Sequence, residues 1–373
     1  MDLVLAIPIG LLLAYANGAN DNFKGVATLF GSGSTSYRRA LAWATVTTLA
    51  GSMTALIVAR GLLAAFSGKG LVSPQLAADP RFSTAVALAA GATVLLATRF
   101  GFPISTTHAL IGGLIGASLL TSSTGINVTR LGNGFVLPLL GSPLIAALAA
   151  LVIYPPLTYL RRRWGIQQET CLCVGSEVVA VAPANPGAAL GVTAFSPSTI
   201  SVGTPTTCRI RYQGRLLGIS ARPALDLAHY LSAGVVSFAR GLNDTPKIAA
   251  LLLAGEMLAP NTAIVGVAVA IGVGGVLSAQ RVAETMSHRI TAMNPGQGFV
   301  ANIVTGLLVV GASKLGLPVS TTHVSCGSLI GIGAATRQAR WKIFGEILLA
   351  WLITLPLAAI LGALAMSALM LSA

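Results

Sequence analysis

Charge is scarce in this chain of 373 residues: Asp, Glu, Lys and Arg together make up 9%, and only 10 residues are acidic. Soluble domains carry about 25% charged residues. With 54% hydrophobic residues and a mean hydropathy of +0.81, the chain cannot keep a surface wet. That excludes a soluble enzyme and a soluble nucleic-acid-binding domain, whatever the formal charge of +13 suggests. Cysteine is sparse too. Three of the four, Cys171, Cys173 and Cys208, fall in one polar stretch without histidine. A structural zinc site takes four ligands, so no metal is expected there, and free thiols are. The first ten residues lack any basic residue and so lack the n-region of a cleaved signal peptide. They read as the start of a membrane segment. What is plentiful is glycine, 42 residues, and proline, 18, both of which membrane helices tolerate.

Crossing the hydrocarbon core takes about 20 apolar residues. Five segments, 3–30, 40–66, 82–98, 104–121 and 134–160, precede a polar stretch, and five follow it: 224–258, 262–280, 298–313, 318–335 and 343–371. The first of each five is interrupted by polar residues. The expected organisation is an N-terminal transmembrane repeat, 1–160, a linker or small insert, 161–222, and a C-terminal transmembrane repeat, 223–373. The insert shows short β-like runs such as Glu177–Val181. Basic residues collect in cytoplasmic loops. With the N-terminus outside, fourteen of the 23 Lys and Arg fall in inside loops and four in outside loops. The expectation is a multi-pass protein of the cell (plasma or inner) membrane, with both termini outside and 161–222 cytoplasmic.

The two halves repeat each other. Ala16-Asn-Gly-Ala-Asn-Asp-Asn-Phe-Lys24 aligns with Ala239-Arg-Gly-Leu-Asn-Asp-Thr-Pro-Lys247, and Gly101-Phe-Pro-Ile-Ser-Thr-Thr-His108 with Gly316-Leu-Pro-Val-Ser-Thr-Thr-His323. Each half crosses an odd number of times, whether its proline-broken pair crosses twice or re-enters, so the halves are inverted. The fold class is an all-α polytopic membrane protein of two inverted-topology repeats, with interrupted helices and Pro-broken hairpins. Such repeats belong to secondary transporters with a site near the midplane.

Asn20 and Asp21, with Asn243 and Asp244, lie in apolar surroundings after Gly18 and Gly241, where glycine is expected to loosen the helix. A carboxylate at membrane depth costs on the order of 3 kcal/mol and is a functional hypothesis by default. Lys24 and Lys247 are coupling or charge-balancing candidates, as are the two aspartates. In the second motif Pro103 and Pro318 disfavour helix before them. Ser105 or Thr106, and Ser320 or Thr321, then cap a new helix. Helix starts bind anions, so Ser105, Thr106, Thr107, Ser320, Thr321 and Thr322 join Asn20, Asp21, Asn243 and Asp244 as candidate substrate ligands. His108 and His323 are either interhelical hydrogen-bonding groups or proton carriers. Gly112, Gly116, Gly327 and Gly331 recur at four-residue spacing, suited to close helix packing.

At these motifs the sequence resembles the inorganic phosphate transporter (PiT) family, which carries a Gly-Ala-Asn-Asp string and a Pro-Val-Ser-Thr-Thr-His string in each half. The resemblance covers the chain outside 161–222. It implies cation-coupled uptake of phosphate, with sodium or a proton as coupling ion and no other cofactor. The family pattern has asparagine where this chain has Lys24 and Lys247. The resemblance therefore also admits proton coupling, sodium independence, or another oxyanion. The alternative function is a permease for sulfate or another tetrahedral oxyanion. An anion channel would need a continuous polar lining, and an enzyme acting on phosphate esters would need a nucleophile or acid–base pair; the sequence offers neither. The expected partners are inorganic phosphate or a similar oxyanion, the lipid bilayer and a second copy of the chain, with no nucleic acid.

Overall fold

The computed structural model describes residues 2–68, 70–119, 126–167, 169–181, 192–204, 206–207, 216–253, 258–290 and 292–371. It is mostly helical. Ten principal helices stand out among the described residues, five before the polar stretch and five after it. The first five are α1 (Asp2–Asp21), α2 (Tyr37–Val58), α3 (Pro80–Arg99), α4 (Thr106–Leu119) and α5 (Leu137–Arg163). The second five are α6 (Ala221–Leu253), α7 (Pro260–Ser278), α8 (Pro295–Lys314), α9 (Thr321–Ala335) and α10 (Trp341–Leu371). Among the described residues, six helical stretches are long and apolar enough to cross a membrane: Tyr37–Val58, Pro80–Arg99, Val128–Arg163, Pro260–Ser278, Pro295–Lys314 and Trp341–Leu371.

The chain divides into two compact units, Met1–Tyr154 with His229–Ala373, and Pro155–Ala228. The smaller unit contains an antiparallel sheet of β1 (Cys171–Val181), β2 (Val192–Gly203) and β3 (Leu216–Ser220), in the order β2-β1-β3. The run Glu177–Val181 lies in β1. Cys171 pairs with Gly203 on one side and Ser220 on the other. Cys173 is disulfide-bonded, which corrects the expectation of a free thiol there, while Cys171 keeps its thiol as expected. Cys208, Arg209, Arg211 and Arg215 lie outside the described residues, as do Lys69 and the span ends 120–121 and 254–257.

In the larger unit the helix breaks are built alike. After α3, Phe102 N donates to Ala97 O at 2.9 Å and Gly101 N to Thr98 O at 3.0 Å. After α8, Leu317 N donates to Ala312 O at 2.9 Å and Gly316 N to Ser313 O at 3.2 Å. This pattern closes a helix through a left-handed residue, and Gly101 (φ 73) and Gly316 (φ 68) supply it. A proline two residues on prevents resumption until α4 and α9 begin. Proline at the first turn opens α3 and α8, and α8 adds a capping box between Asn294 and Gln297.

Helices pack across the halves, α1 against α7, α7 against α2, and α10 against α3 and α4, while α1 also packs on α3 within the first half. Glycine sets these approaches. A methyl group at Gly112 or Gly116 would lie 2.4 or 1.8 Å from the carbonyl oxygens of Leu355 and Ala359 in α10. At Gly327 and Gly331 it would lie 2.3 Å from those of Pro143 and Ala147 in α5. Gly18 and Gly241 have the same use, against the Ile271 and Thr48 carbonyls at 1.9 and 2.1 Å. The expected loosening at these two glycines is not seen. α1 runs through Gly18 and ends at Asp21, before a turn. α6 continues through Gly241, Asp244 and Pro246 to Leu253, so the interruption expected in 224–258 is absent from the described residues.

Candidate functional site

Both repeated motifs meet in the buried centre of the larger unit, and their hydrogen bonds follow the repeat. Asn20 Nδ2 donates to Thr98 Oγ1 at 2.9 Å and to the Phe102 carbonyl at 3.0 Å, while its Oδ1 accepts from Ile104 N at 3.2 Å. In the other half Asn243 Nδ2 donates to the Val319 carbonyl at 3.2 Å, and its Oδ1 accepts from Ser313 at 3.3 Å. The asparagines therefore fasten the end of the first motif to the broken hairpin of the same repeat. All the hydrogen-bonding capacity of Asn20 is used this way or on Lys24.

Asp21 Oδ1 accepts from Lys24, and Oδ2 from Asn17 Nδ2 at 3.0 Å and Thr106 Oγ1 at 3.2 Å. Asp244 Oδ1 accepts from Asn243 Nδ2 at 3.0 Å and Lys247 at 3.4 Å. Its Oδ2 accepts from Asn17 Nδ2 at 3.3 Å and lies 3.8 Å from Arg240 Nε. One asparagine thus bridges the two carboxylates. Arg240, wholly buried, also donates to Asn17 Oδ1 at 2.7 Å, Asn22 Oδ1 at 3.0 Å and Thr48 Oγ1 at 3.3 Å.

Asn17 and Arg240 were not among the sequence candidates. Their signal is present in the sequence: they align with each other one residue before the motif glycines. Arg240 also changes the charge balance. Two aspartates and two lysines alone would cancel, whereas with the guanidinium the buried cluster carries a net +1.

The starts of α4 and α9 complete the centre. Ser105 Oγ accepts from His108 N at 3.1 Å, and Ser320 Oγ from His323 N at 3.3 Å. The serines are therefore the caps, and the threonines are left for other work. Thr106 Oγ1 also accepts from Asn17 at 3.0 Å, and Thr321 Oγ1 from Asn243 at 3.3 Å. Thr322 donates to the Ile104 carbonyl at 2.9 Å, and Thr107 to the Val319 carbonyl at 3.4 Å. Each of these last two bonds crosses from one repeat to the other. Behind them the rings of His108 and His323 lie 4.5 Å apart, and His323 lies 3.8 Å from Trp351. Both rings are buried. His108 Nδ1 and His323 Nε2 have no hydrogen-bond partner among the described residues, while His323 Nδ1 faces the Leu139 carbonyl at 3.4 Å. All fourteen sequence-predicted site residues thus cluster at or beside this centre.

The arrangement resembles known proteins over nearly its whole length. The model of the phosphate transporter family matches residues 17–362. A Thermococcus kodakarensis protein named as a phosphate permease is 27% identical, over 97% of this chain and 96% of its own. A Rhizobium meliloti protein named as a low-affinity inorganic phosphate transporter is 29% identical, over 98% and 97%. Among solved structures, one titled as the sodium-dependent phosphate transporter superimposes with a TM-score of 0.75 at 20% identity, covering 99% of both chains. That likeness extends the match to the fold. The chain belongs to the phosphate transporter family.

Proposed function

We propose that the protein is a secondary transporter that takes up inorganic phosphate by cation-coupled symport, through a midplane site at the interface of two inverted repeats. The observation that carries this reading is the meeting of two helix starts, one from each repeat, beside Asp21 and Asp244. A helix start leaves its first amides without helical acceptors and carries about half a positive charge. Two such starts, with the hydroxyls of Thr106 and Thr321 and a net positive cluster, suit a tetrahedral oxyanion. Hydrogen phosphate also brings an O–H that a carboxylate can accept. The names of the relatives favour the same substrate. No enzymatic step is part of this reading. The coupled proton, on this account, is carried by His108 and His323, whose open nitrogens lie behind the helix starts. On this reading the protein sits in the cell membrane with its termini outside and 161–222 cytoplasmic, and a homodimer is its proposed assembly.

A second reading is a sulfate permease. It is favoured by the ion pairs of Asp21 with Lys24 and of Asp244 with Lys247. Carboxylates neutralised in this way no longer repel an anion that has only acceptors. Uptake of labelled phosphate into proteoliposomes, with sulfate as competitor, tests both. Phosphate uptake resistant to a large excess of sulfate supports the first; complete loss to sulfate supports the second.

A further inference from the structure

Two lysines end among oxygen acceptors, and Lys247 Nζ also lies 5.8 Å from the centre of the Phe66 ring. Lys24 Nζ meets Asn20 Oδ1 at 2.8 Å, the Ile104 carbonyl at 2.7 Å, Thr322 Oγ1 at 2.7 Å and the Asp21 carboxylate. Lys247 Nζ meets the Val319 carbonyl at 2.7 Å, Thr107 Oγ1 at 2.9 Å and Asp244 Oδ1 at 3.4 Å. Carboxylate, carbonyl and hydroxyl correspond between the two shells, and the Asn20 amide oxygen is an extra member at Lys24. In each, one repeat supplies the carboxylate and the carbonyl, and the opposite repeat supplies the hydroxyl.

An ammonium group has three protons to donate and no acceptor, so these shells describe charged lysines. Carbonyl, hydroxyl, amide and carboxylate oxygens closing around one centre are also what replaces the water shell of a desolvated cation. The charge count points the same way. With the lysines the cluster carries +1, and a doubly charged oxyanion brings it to −1. With neutral side chains at both positions it would start at −1 and reach −3, which in a buried site demands added cations.

We propose that Lys24 and Lys247 are tethered cations: their ammonium groups fill two alkali-ion cages, so an oxyanion binds here without co-bound sodium. This rests on the oxyanion reading of the same site. It also makes a defined prediction about the empty cages, since neutralising either lysine exposes an oxygen shell that a sodium ion can enter.

The test uses the purified full chain with labelled phosphate and labelled sulfate as probes, in sodium chloride and in choline chloride. The unmodified protein should bind its anion with affinities within about twofold in the two salts. Lys24→Asn with Lys247→Asn should lose about tenfold or more in choline and regain binding in sodium. Melting without anion gives a second readout that includes the single variants. Sodium should leave the unmodified protein's melting temperature unchanged and raise that of Lys24→Asn and of Lys247→Asn saturably. A tenfold sodium requirement in the unmodified protein overturns the proposal, and so does a folded single variant that is indifferent to sodium. If neither anion binds in either salt, the oxyanion reading falls, and the melting arm still decides whether the cages take sodium.

Discussion

Asn17 and Arg240 hold the same place in the two repeats and are bonded to each other, Arg240 Nη2 donating to Asn17 Oδ1 at 2.7 Å. The pair breaks the symmetry of a centre in which Asn20, Asp21, Lys24 and Ser105–His108 are matched by Asn243, Asp244, Lys247 and Ser320–His323. Asn17 ties the two carboxylates together, and Arg240 supplies the charge that makes the cluster positive. Arg240→Asn should cost about 1–3 kcal/mol of stability, because it leaves the buried side-chain oxygens of Asn17 and Asn22 without their donor. Asn17→Arg with Arg240→Asn should recover part of that loss, since the guanidinium then enters from the equivalent position of the other repeat. Melting temperatures of the three proteins check this. A double exchange no better than the single one would show that the two positions are not equivalent.

The serines and threonines of the helix starts should separate in their effects. Ser105→Ala and Ser320→Ala each remove a cap, worth about 0.5–2 kcal/mol of stability. Thr106→Val with Thr321→Val removes the hydroxyls bonded to Asp21 and Asn243, which the proposed anion would meet. Hydrogen bonds to charged groups are worth about 1.5–3 kcal/mol each, so anion affinity should fall by on the order of a hundredfold. Equilibrium binding and thermal melting on the same preparations measure both. Loss of affinity in the serine variants, with none in the threonine pair, would reverse the assignment.

Glycine contacts should matter to packing and leave the anion alone. At Gly116 a methyl group would sit 1.8 Å from the Ala359 carbonyl oxygen, so α4 and α10 must part. Gly116→Ala should cost about 1–3 kcal/mol, as overpacking does. Gly345→Ala on α10, where nothing lies within 4 Å, serves as control and should be neutral or slightly stabilising. Calorimetric melting of the two variants reads the difference. Anion affinity of folded Gly116→Ala should be unchanged.

Orientation rests on two signals that oppose each other. The arginines of 161–222 favour the cytoplasm, whereas disulfides such as that of Cys173 persist in oxidising compartments. The proposed topology predicts that an impermeant maleimide on intact cells misses Cys171, Cys173 and Cys208 before and after an impermeant reductant. It should reach a cysteine placed at position 69 or at the C-terminus. Labelling of the loop from outside would invert the orientation.

Much of this centre was legible because it is written twice. Pro103 and Pro318, and the serines two residues after them, determine the helix breaks and caps by local stereochemistry, and local rules carry over directly from sequence. The roles of Asn20 and Asn243 were not legible, because an amide at that spacing can face a ligand or a neighbouring turn, and only the packing of α3 and α8 decides. The continuity of α6 through Pro246 was hidden for a similar reason: neighbouring helices hold a segment that local propensity would break. Arg240 was the readable residue that was passed over. A lone guanidinium inside an apolar segment is a functional signal, and its alignment with Asn17 marks it as part of the repeat. The sheet of β1, β2 and β3 showed only as short β-like runs such as Glu177–Val181, since its pairing is irregular, with a bulge between Ser176 and Val178.

The most direct measurement is uptake of labelled phosphate into proteoliposomes under an inward proton gradient with choline replacing sodium, set beside an inward sodium gradient with no proton gradient. The account predicts concentrative uptake in the first case, no further gain from sodium, and loss of proton-driven accumulation in His108→Gln with His323→Gln while passive phosphate exchange persists. Accumulation driven by sodium alone would contradict it.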